Sequence, residues 1–283
     1  MIDCKGLAKD IFERAKTLSQ KFHFEEAKVV IINASEDESS KKYVELKENK
    51  FKDAGFITEI KSLTTFEEVK ATIEAGNKDK KTVGIIVQLP LFKDLEPQRN
   101  EILNLINFKK DIDCLTDRNL EKIGTDDELV LPATVEGICI LLEQIASNEK
   151  QKLSEFLQGK KVAIVNDSKL IGIPLAKKLS SRGAVVQNLN KFTEDIKSIT
   201  FDADIVVTAT GNIEIFDSSF FKNDSILIDV TSLKTENGTK GDIKADEELK
   251  SKVKFITPVP GGVGPLTVST LILNTVKLAI FQS

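Results

Sequence analysis

Short apolar runs alternate with amphipathic stretches along most of the chain. The apolar runs have the length of buried strands, whereas the amphipathic stretches repeat their apolar residues every three or four positions, as one face of a helix does. In the first half the pattern predicts strands at 28–32, 56–60 and 82–89, and helices at 6–22, 40–54, 66–75 and 97–106. Because strands and helices alternate, we predict a parallel α/β fold.

The second half repeats this alternation after a charged stretch at 147–152, which we interpret as a surface link between two lobes. The predicted strands are 160–165, 184–189, 203–209 and 225–230; the predicted helices are 135–146, with Thr134 as its N-cap, and 170–179. A strand, a helix and a second strand in this order form a βαβ unit of the dinucleotide-binding kind. A last apolar helix is predicted at 268–281. The fold class is therefore α/β with two lobes, the second of them Rossmann-like.

Composition excludes several classes of function. The chain has 283 residues, 41% of them hydrophobic, and its 40 basic side chains nearly balance 44 acidic ones, which argues against a nucleic acid partner. The N-terminus lacks the apolar core of a signal peptide, and no run approaches the length of a membrane span, so we expect a cytoplasmic protein with no membrane partner. Three scattered cysteines predict neither disulfides nor a zinc site, and the single histidine, His23, leaves few candidates for a histidine base.

Ser40, Tyr43 and Lys47 lie three and four positions apart on a predicted helix. Their polar ends would therefore project into one space, where a hydroxyl, a phenol and an amine converge. The alternative is a solvated, lysine-rich helix face.

Gln88 closes an otherwise apolar strand and is a second candidate. Ligands of parallel α/β sheets bind at the carboxyl ends of the strands, although a strand-end amide can also simply cap the next turn. Asp111 and Asp113 follow on a predicted extended piece, where only one of the two side chains can point inward.

Two loops complete the set of candidates. Residues 166–174 lack the G-x-G-x-x-G fingerprint but keep a serine at the turn and a glycine at a helix N-terminus, which suits a phosphate; the alternative is a Rossmann-like lobe without nucleotide. Residues 257–267 contain three glycines and three prolines, so the backbone can approach a flat ligand without side-chain bulk; the alternative is a tight structural crossover.

Together these stretches resemble the bifunctional methylenetetrahydrofolate dehydrogenase/methenyltetrahydrofolate cyclohydrolases of one-carbon metabolism. The resemblance covers nearly the whole chain. The matching motifs are S-x-x-Y-x-x-x-K at Ser40, Tyr43 and Lys47, V-Q-L-P-L at 87–91, K-D-x-D at 110–113, A-D-I-x-V-x-A-T-G at 203–211, I-D-V at 228–230, N-G-x-x-G-D at 237–242 and P-G-G-V-G-P-x-T at 260–267.

The resemblance implies a folate-binding lobe of residues 1–133 and 266–283 and an NAD(P)-binding lobe of residues 134–265, in a homodimer joined through the second lobe. It also implies catalytic roles for Lys47, Tyr43, Gln88 and Asp113, the aspartate holding the pterin of the folate substrate. The implied substrate-binding residues are Ser40, Val87, Leu89, Pro260, Gly261, Gly262, Val263, Gly264, Pro265 and Thr267. The implied cofactor-binding residues are Asn166, Asp167, Ser168, Gly172, Lys191, Thr210, Gly211, Thr231 and Ser232.

Departures from the family pattern concentrate in the cofactor lobe. Asn166 and Asp167 stand where the family has a small residue and often an arginine, and Asp167 would repel a 2′-phosphate that Lys191 would attract. The two charges act in opposite directions. We expect NADP, with NAD as the alternative. The activity expected is the bifunctional one; the alternatives are a cyclohydrolase with weakened dehydrogenase activity and a non-catalytic folate- or nucleotide-binding homologue.

Overall fold

The computed structural model describes residues 2–24, 26–36, 38–236 and 238–283, and for residues 38–43 it describes the backbone alone. The chain divides into two compact units. The first unit comprises Lys9–Lys122, Asp127–Ala133 and Val268–Ser283; the second comprises residues 2–8, Ile123–Asp126 and Thr134–Thr267. Residues 2–8 and Ile123–Asp126 thus group with the second unit, whereas the expected boundaries had placed them in the first.

The described residues form ten strands and eleven α-helices. The strands are β1 (Lys28–Asn33), β2 (Ile57–Ser62), β3 (Thr82–Gln88), β4 (Lys161–Val165), β5 (Val185–Leu189), β6 (Ile205–Thr208), β7 (Ile226–Asp229), β8 (Leu233–Thr235), β9 (Gly238–Lys240) and β10 (Phe255–Ile256). The helices are α1 (Cys4–Lys21), α2 (Glu38–Asp53), α3 (Phe66–Lys78), α4 (Arg99–Asn104), α5 (Asp117–Lys122), α6 (Ala133–Asn148), α7 (Leu153–Leu157), α8 (Gly172–Ser181), α9 (Ile196–Asp202), α10 (Glu247–Lys252) and α11 (Val263–Gln282). The fold class is the predicted one.

The first unit contains a parallel three-stranded sheet in the order β2-β1-β3. Strands β1 and β3 are buried, which explains why β3 is apolar until Gln88, whereas the edge strand β2 is partly exposed. In the register of the sheet, Asn33 at the end of β1 lies opposite both Ser62 of β2 and Gln88 of β3. Three polar side chains therefore end the strands at one edge, where parallel sheets bind their ligands.

The second unit contains a parallel five-stranded sheet in the order β10-β7-β6-β4-β5. The first strand of this unit, β4, is flanked by β5 on one side and β6 on the other, so the strand order reverses direction across the sheet at this point. Such a switch point opens a crevice at the carboxyl ends of the strands. The short strand β10 and the antiparallel hairpin of β8 and β9 were not predicted, because two or three residues carry no readable periodicity.

Helix α11 corrects two expectations. It begins at Val263, inside the glycine- and proline-rich stretch, because a proline is tolerated in the first turn of a helix, so Pro265 does not delay its start. It is also the one helix in the described part of the chain that is long and apolar enough to span a membrane, although 67% of its most apolar window is buried within the protein. Its buried polar side chains are tied to the first unit, where the Nδ2 of Asn274 donates to the carbonyls of Ile112 and Leu131.

Two local predictions were wrong. Residues 110–114 form a turn after a single bridge between Asp111 and Ile85, where an extended piece had been expected. Helix α6 begins at Ala133, so Thr134 lies inside its first turn and not before it. The first error arose because an alternation of charged and apolar residues over so few positions is as compatible with a turn as with a strand.

Candidate functional site

Lys47 of α2 lies against the carboxyl edge of the sheet in the first unit. Its Nζ donates a 3.0 Å hydrogen bond to Oε1 of Gln88 and lies 4.0 Å from Oδ2 of Asp113. The side chains of Lys47 and Asp113 are 15% and 22% exposed, so both are shielded from bulk water while still reachable from one side. The structure thus brings together three of the four predicted catalytic residues, and an amine, an amide and a carboxylate converge there.

The orientation of the Gln88 amide is set by its two partners. Its Nε2 donates to the carbonyl of Leu89 at 2.8 Å, which turns Oε1 towards Lys47. Gln88 is only 9% exposed, so this orientation is held within the fold. An acceptor fixed in this way orients the Lys47 Nζ. The other bonds of this nitrogen then point away from Gln88.

The two aspartates of the turn at 110–114 have different environments. Asp111 is buried and accepts hydrogen bonds from the backbone N–H groups of Leu115 and Thr116, from the Thr116 hydroxyl and from the Asn119 amide. Burial raises the pKa of the Asp111 carboxyl above its ordinary value, and these donors oppose that rise. Asp111 holds the turn together, which leaves Asp113 as the carboxylate beside Lys47.

The other predicted residues of this unit are placed less completely. The side chains of Ser40 and Tyr43 lie outside the described residues, so their contacts with Lys47 stay a prediction. Val87 is buried in the apolar core of the unit, and Leu89 is partly buried against the same core.

Asn33 is a residue of this edge that the sequence analysis missed. It is 8% exposed, and its Oδ1 has no hydrogen-bond partner among the described residues. The signal was the same as for Gln88, since both are amides that close an apolar strand at its carboxyl end.

In the second unit a cavity of about 700 Å³ opens at the carboxyl ends of β4, β5 and β6. Four predicted cofactor residues line it: Asn166, Asp167, Lys191 and Thr210. The remaining lining is mostly apolar and includes Phe192, whose ring is 79% exposed at the mouth of the cavity, 5.0 Å from the Lys191 Nζ. The cavity lies at the switch point of the sheet, which is where a doubly wound fold binds a nucleotide.

The loop after β4 is closed by the Asn166 side chain. Its Oδ1 accepts from the N–H of Ser168 at 2.9 Å, from the Ser168 hydroxyl at 2.6 Å and from the N–H of Gly172 at 3.0 Å, while its Nδ2 donates to the carbonyl of Ala209 at 2.8 Å. Gly172 is needed here because a Cβ at this position would lie 1.8 Å from the Asn166 carbonyl oxygen.

A buried carboxylate holds the loop after β6. Asp242 is fully buried, and its two carboxylate oxygens accept from the N–H groups of Thr210 at 2.7 Å and Asn212 at 3.1 Å. Gly211 between them has a φ of +73° and donates to Thr231 Oγ1 at 3.1 Å, so two more predicted cofactor residues meet here. Ser232 follows Thr231 and is not among the residues that line the cavity.

Asp229 closes β7 next to this clamp and is 3% exposed. Its Oδ1 accepts from the N–H of Thr231 and its Oδ2 from the N–H of Ile243. Burial, assisted by the neighbouring charge of Asp242, raises the pKa of Asp229 to about 6. Both aspartates stand at motif positions in the sequence, where neither was assigned to the site; the available signal for Asp229 was that it ends an apolar strand.

The donor set of this cavity fits a dinucleotide. Lys191 offers a cation at the end of β5, where the ribose of a dinucleotide lies in Rossmann folds, and the exposed Phe192 ring offers a stacking surface beside it. Asp167 lines the same cavity with a negative charge, opposite in sign to that of Lys191.

The glycine- and proline-rich loop belongs to the second unit up to Thr267. Gly261 has a φ of +102°, and a Cβ there would lie 2.7 Å from the Lys5 Cε, while a Cβ on Gly262 would lie 2.6 Å from the carbonyl oxygen of Pro258. Glycine is therefore required at 261 by the positive φ, and at 262 by the close approach of the Pro258 carbonyl. The role of residues 260–267 in substrate binding stays a prediction.

Comparison with known proteins covers both units. Residues 2–113 match the family model described as "Tetrahydrofolate dehydrogenase/cyclohydrolase, catalytic domain", and residues 132–283 match its counterpart "Tetrahydrofolate dehydrogenase/cyclohydrolase, NAD(P)-binding domain". A relative named "Bifunctional protein FolD", from Methanosarcina barkeri, is 37% identical over 247 residues, which cover 86% of this chain and 82% of the relative.

Two solved structures have the same fold along almost the entire chain. The bifunctional FolD methylenetetrahydrofolate dehydrogenase/cyclohydrolase from Campylobacter jejuni superposes with a TM-score of 0.90 at 32% identity, covering 99% of this chain and 98% of that one. The FolD enzyme from Trypanosoma brucei, solved with NADP and an inhibitor, superposes with a TM-score of 0.87 at 27% identity, covering 99% and 97%.

Proposed function

The chain belongs to the tetrahydrofolate dehydrogenase/cyclohydrolase family, and on that premise we propose that it carries out both reactions of the family. The first oxidises methylenetetrahydrofolate to methenyltetrahydrofolate with NAD(P), and the second hydrolyses the methenyl cation to 10-formyltetrahydrofolate. The observation that carries the proposal is the contact of the Lys47 Nζ with Gln88 and Asp113 at the ligand-binding edge of the first sheet.

The hydrolysis needs a group that removes a proton from water as it attacks the cationic methenyl carbon. Gln88 orients the amine of Lys47 at this edge, and in its neutral form this amine can take that proton. A substrate cation beside Lys47 favours the neutral amine, because like charges disfavour protonation. The reaction consumes one water and releases one proton, and the C–N bond on one side of the bridge breaks to leave a formyl group.

Asp113 lies beside the proposed base, with its carboxylate 4.0 Å from the Lys47 Nζ. In this proposal the carboxylate accepts from the pterin's amino and ring N–H groups, which holds the substrate next to Lys47.

The oxidation makes a different demand on the protein. Bound NADP supplies the hydride acceptor, and the chain has to align two flat rings and exclude water. The clamp of Asp242 on the loop at 210–212 fixes one wall of the cavity, and Lys191 supports the phosphorylated cofactor by its charge.

Two assays on one preparation test the proposal. Methylenetetrahydrofolate with NADP or NAD should yield reduced cofactor, and methenyltetrahydrofolate alone should lose its absorbance faster than in buffer. Absence of the second signal would refute the cyclohydrolase assignment, and absence of the first with both cofactors would refute the dehydrogenase assignment.

We also propose that the protein is a homodimer joined through the second unit. The supporting observation is that β5 forms an edge of the five-stranded sheet and that Val185 on it is 58% exposed, since an edge strand can pair with a strand of a second chain. Light scattering after gel filtration should give twice the chain mass, and Val185→Lys should shift it towards the monomer; a monomeric wild type would disprove the proposal.

A further inference from the structure

The N-terminus of α8 has no donor left for a ligand. The N–H of Gly172 is taken by Asn166 Oδ1, the N–H of Ile173 by the carbonyl of Ser168 and the N–H of Leu175 by the carbonyl of Ile171. Pro174 has no N–H. Helix N-termini bind phosphates through these first N–H groups. In this chain they are satisfied from within the protein.

One side chain accounts for most of this closure. The Asn166 carboxamide oxygen accepts three hydrogen bonds, from the N–H and hydroxyl of Ser168 and from the N–H of Gly172. Because two of these donors are backbone N–H groups, the atom facing them must be the amide oxygen. Its nitrogen is occupied as well, by the carbonyl of Ala209 at the end of β6.

The Asn166 amide lies where the pyrophosphate of a cofactor would compete with it for the same N–H donors. Asn166 and Asp167 line the cavity at the carboxyl ends of β4, β5 and β6. A pyrophosphate oxygen needs the same geometry as the amide oxygen, namely an acceptor within hydrogen-bond distance of the Ser168 and Gly172 N–H groups. Only one of the two acceptors can have them.

We propose that Asn166 limits the affinity of this protein for dinucleotides, because its carboxamide oxygen holds the N–H donors that the pyrophosphate would otherwise take. This inference rests on the proposed dehydrogenase function, since it concerns the cofactor of that reaction. Asn166 is in this sense a specificity-determining residue: it weakens the binding of every ligand with a pyrophosphate at this position and leaves binding of the adenosine end unchanged.

The test measures binding by calorimetry for wild type, Asn166→Gly and Asn166→Ala. The ligands are NADP, NAD and 2′-AMP, the last of which has the adenosine 2′-phosphate but no pyrophosphate. The expected result is a Kd for NADP and for NAD that falls about three- to tenfold in both variants, the equivalent of about one net hydrogen bond. The Kd for 2′-AMP should stay unchanged.

Asn188→Ala is the matched control. Asn188 is an exposed amide whose Nδ2 lies 3.4 Å from the carbonyl oxygen of Asn166, and it does not contact the α8 donors. The Asn188→Ala variant should bind all three ligands as the wild type does. Asn166→Ala keeps the Cβ and restricts the loop more than glycine does, so it serves if the glycine variant is unstable.

Each other outcome has a defined meaning. Unchanged or higher Kd for NADP in a folded Asn166 variant overturns the inference and leaves the proposed function intact. An equal gain for 2′-AMP overturns it too, because the effect would then not come from the pyrophosphate. No binding of NADP or NAD by any form overturns both the inference and the dehydrogenase assignment.

Discussion

The two ligand-binding edges of this protein use their polar groups in opposite ways. At the edge of the first sheet, Lys47 and Asp113 are partly exposed and Asn33 Oδ1 has no partner among the described residues, so hydrogen-bonding capacity is left for a substrate. At the edge of the second sheet, Asn166 and Asp242 satisfy the loops around the cavity from within. The first edge leaves polar atoms available to a ligand, and the second uses its polar atoms to hold its own loops.

The largest expected effect tests the first edge. Lys47→Met removes the amine that donates to Gln88 and should lower the cyclohydrolase rate by about 10²- to 10⁴-fold, the usual contribution of a positioned acid or base. Lys52→Met is the control, because Lys52 lies on the same helix, is 57% exposed and pairs with Glu48. A Lys47→Met enzyme that hydrolyses methenyltetrahydrofolate at the wild-type rate would show that Lys47 is not the base.

The second effect concerns the edge of the second sheet, where Asp229 lies. It is a pH dependence of stability. Because the folded-state pKa of Asp229 is raised to about 6, the folded protein binds this proton more tightly than the unfolded chain. Its contribution to stability is present below the unfolded pKa, about 4, and is lost as pH rises through about 6. The free energy of unfolding of wild type minus that of Asp229→Asn should therefore fall by about 2 kcal/mol between pH 4 and pH 7.

Denaturant melts of both proteins at a series of pH values measure this difference, and the comparison cancels the titration of other groups. A difference that stays constant from pH 4 to pH 7, or rises, would contradict the raised pKa of Asp229.

A smaller effect is expected at the clamp. Asp242→Asn should loosen the loop at 210–212, because the amide keeps one oxygen acceptor for the two N–H groups of Thr210 and Asn212 and turns an NH₂ donor towards the other. We expect the KM for NADP to rise about tenfold. The cyclohydrolase rate should not change, since Lys47 and its partners belong to the other unit.

Asp246→Asn provides the comparison for this variant. Asp246 caps α10 in the same unit by accepting from the Leu249 N–H, without touching the clamp. An Asp242→Asn protein that loses both activities equally would mean that the clamp holds the fold as a whole and not the cofactor loop.

The smallest effect is one of cofactor choice. Asp167→Arg should raise the ratio of NADP to NAD activity about fivefold, because a negative charge on the rim of the cavity becomes a positive one that can pair with the 2′-phosphate. Asp167→Asn, which only removes the charge, should give an intermediate ratio. Steady-state kinetics with both cofactors give the ratio, and equal ratios in all three proteins would remove Asp167 from cofactor selection.

The strands and their order of appearance could be predicted because buried parallel strands carry continuous apolar runs, as β1 and β3 do. Gln88 was found for the same reason, as the polar residue that interrupts such a run. Asn33 offered the same signal at the end of β1, and only the register of the sheet shows that it lies opposite Gln88.

The remaining features depend on contacts between distant residues, which periodicity does not report. Asn166 contacts Ala209, and Asp242 contacts Thr210, across more than thirty residues. The separation of Asp111 from Asp113 depends on a turn whose donors, such as Asn119, follow it in the chain. Each of these side chains was visible in the sequence, but its partner was not.

Helix α11 has a consequence for the order in which the protein is made. The first unit needs Val268–Ser283, whose Asn274 and Gln282 side chains donate to carbonyls at Ile112, Leu131, Val83 and Lys109. A ribosome synthesises all of residues 134–267 before it reaches them. The strands of the nucleotide-binding unit are therefore all synthesised before this segment, and the catalytic unit, although its sheet emerges first, has to wait for it.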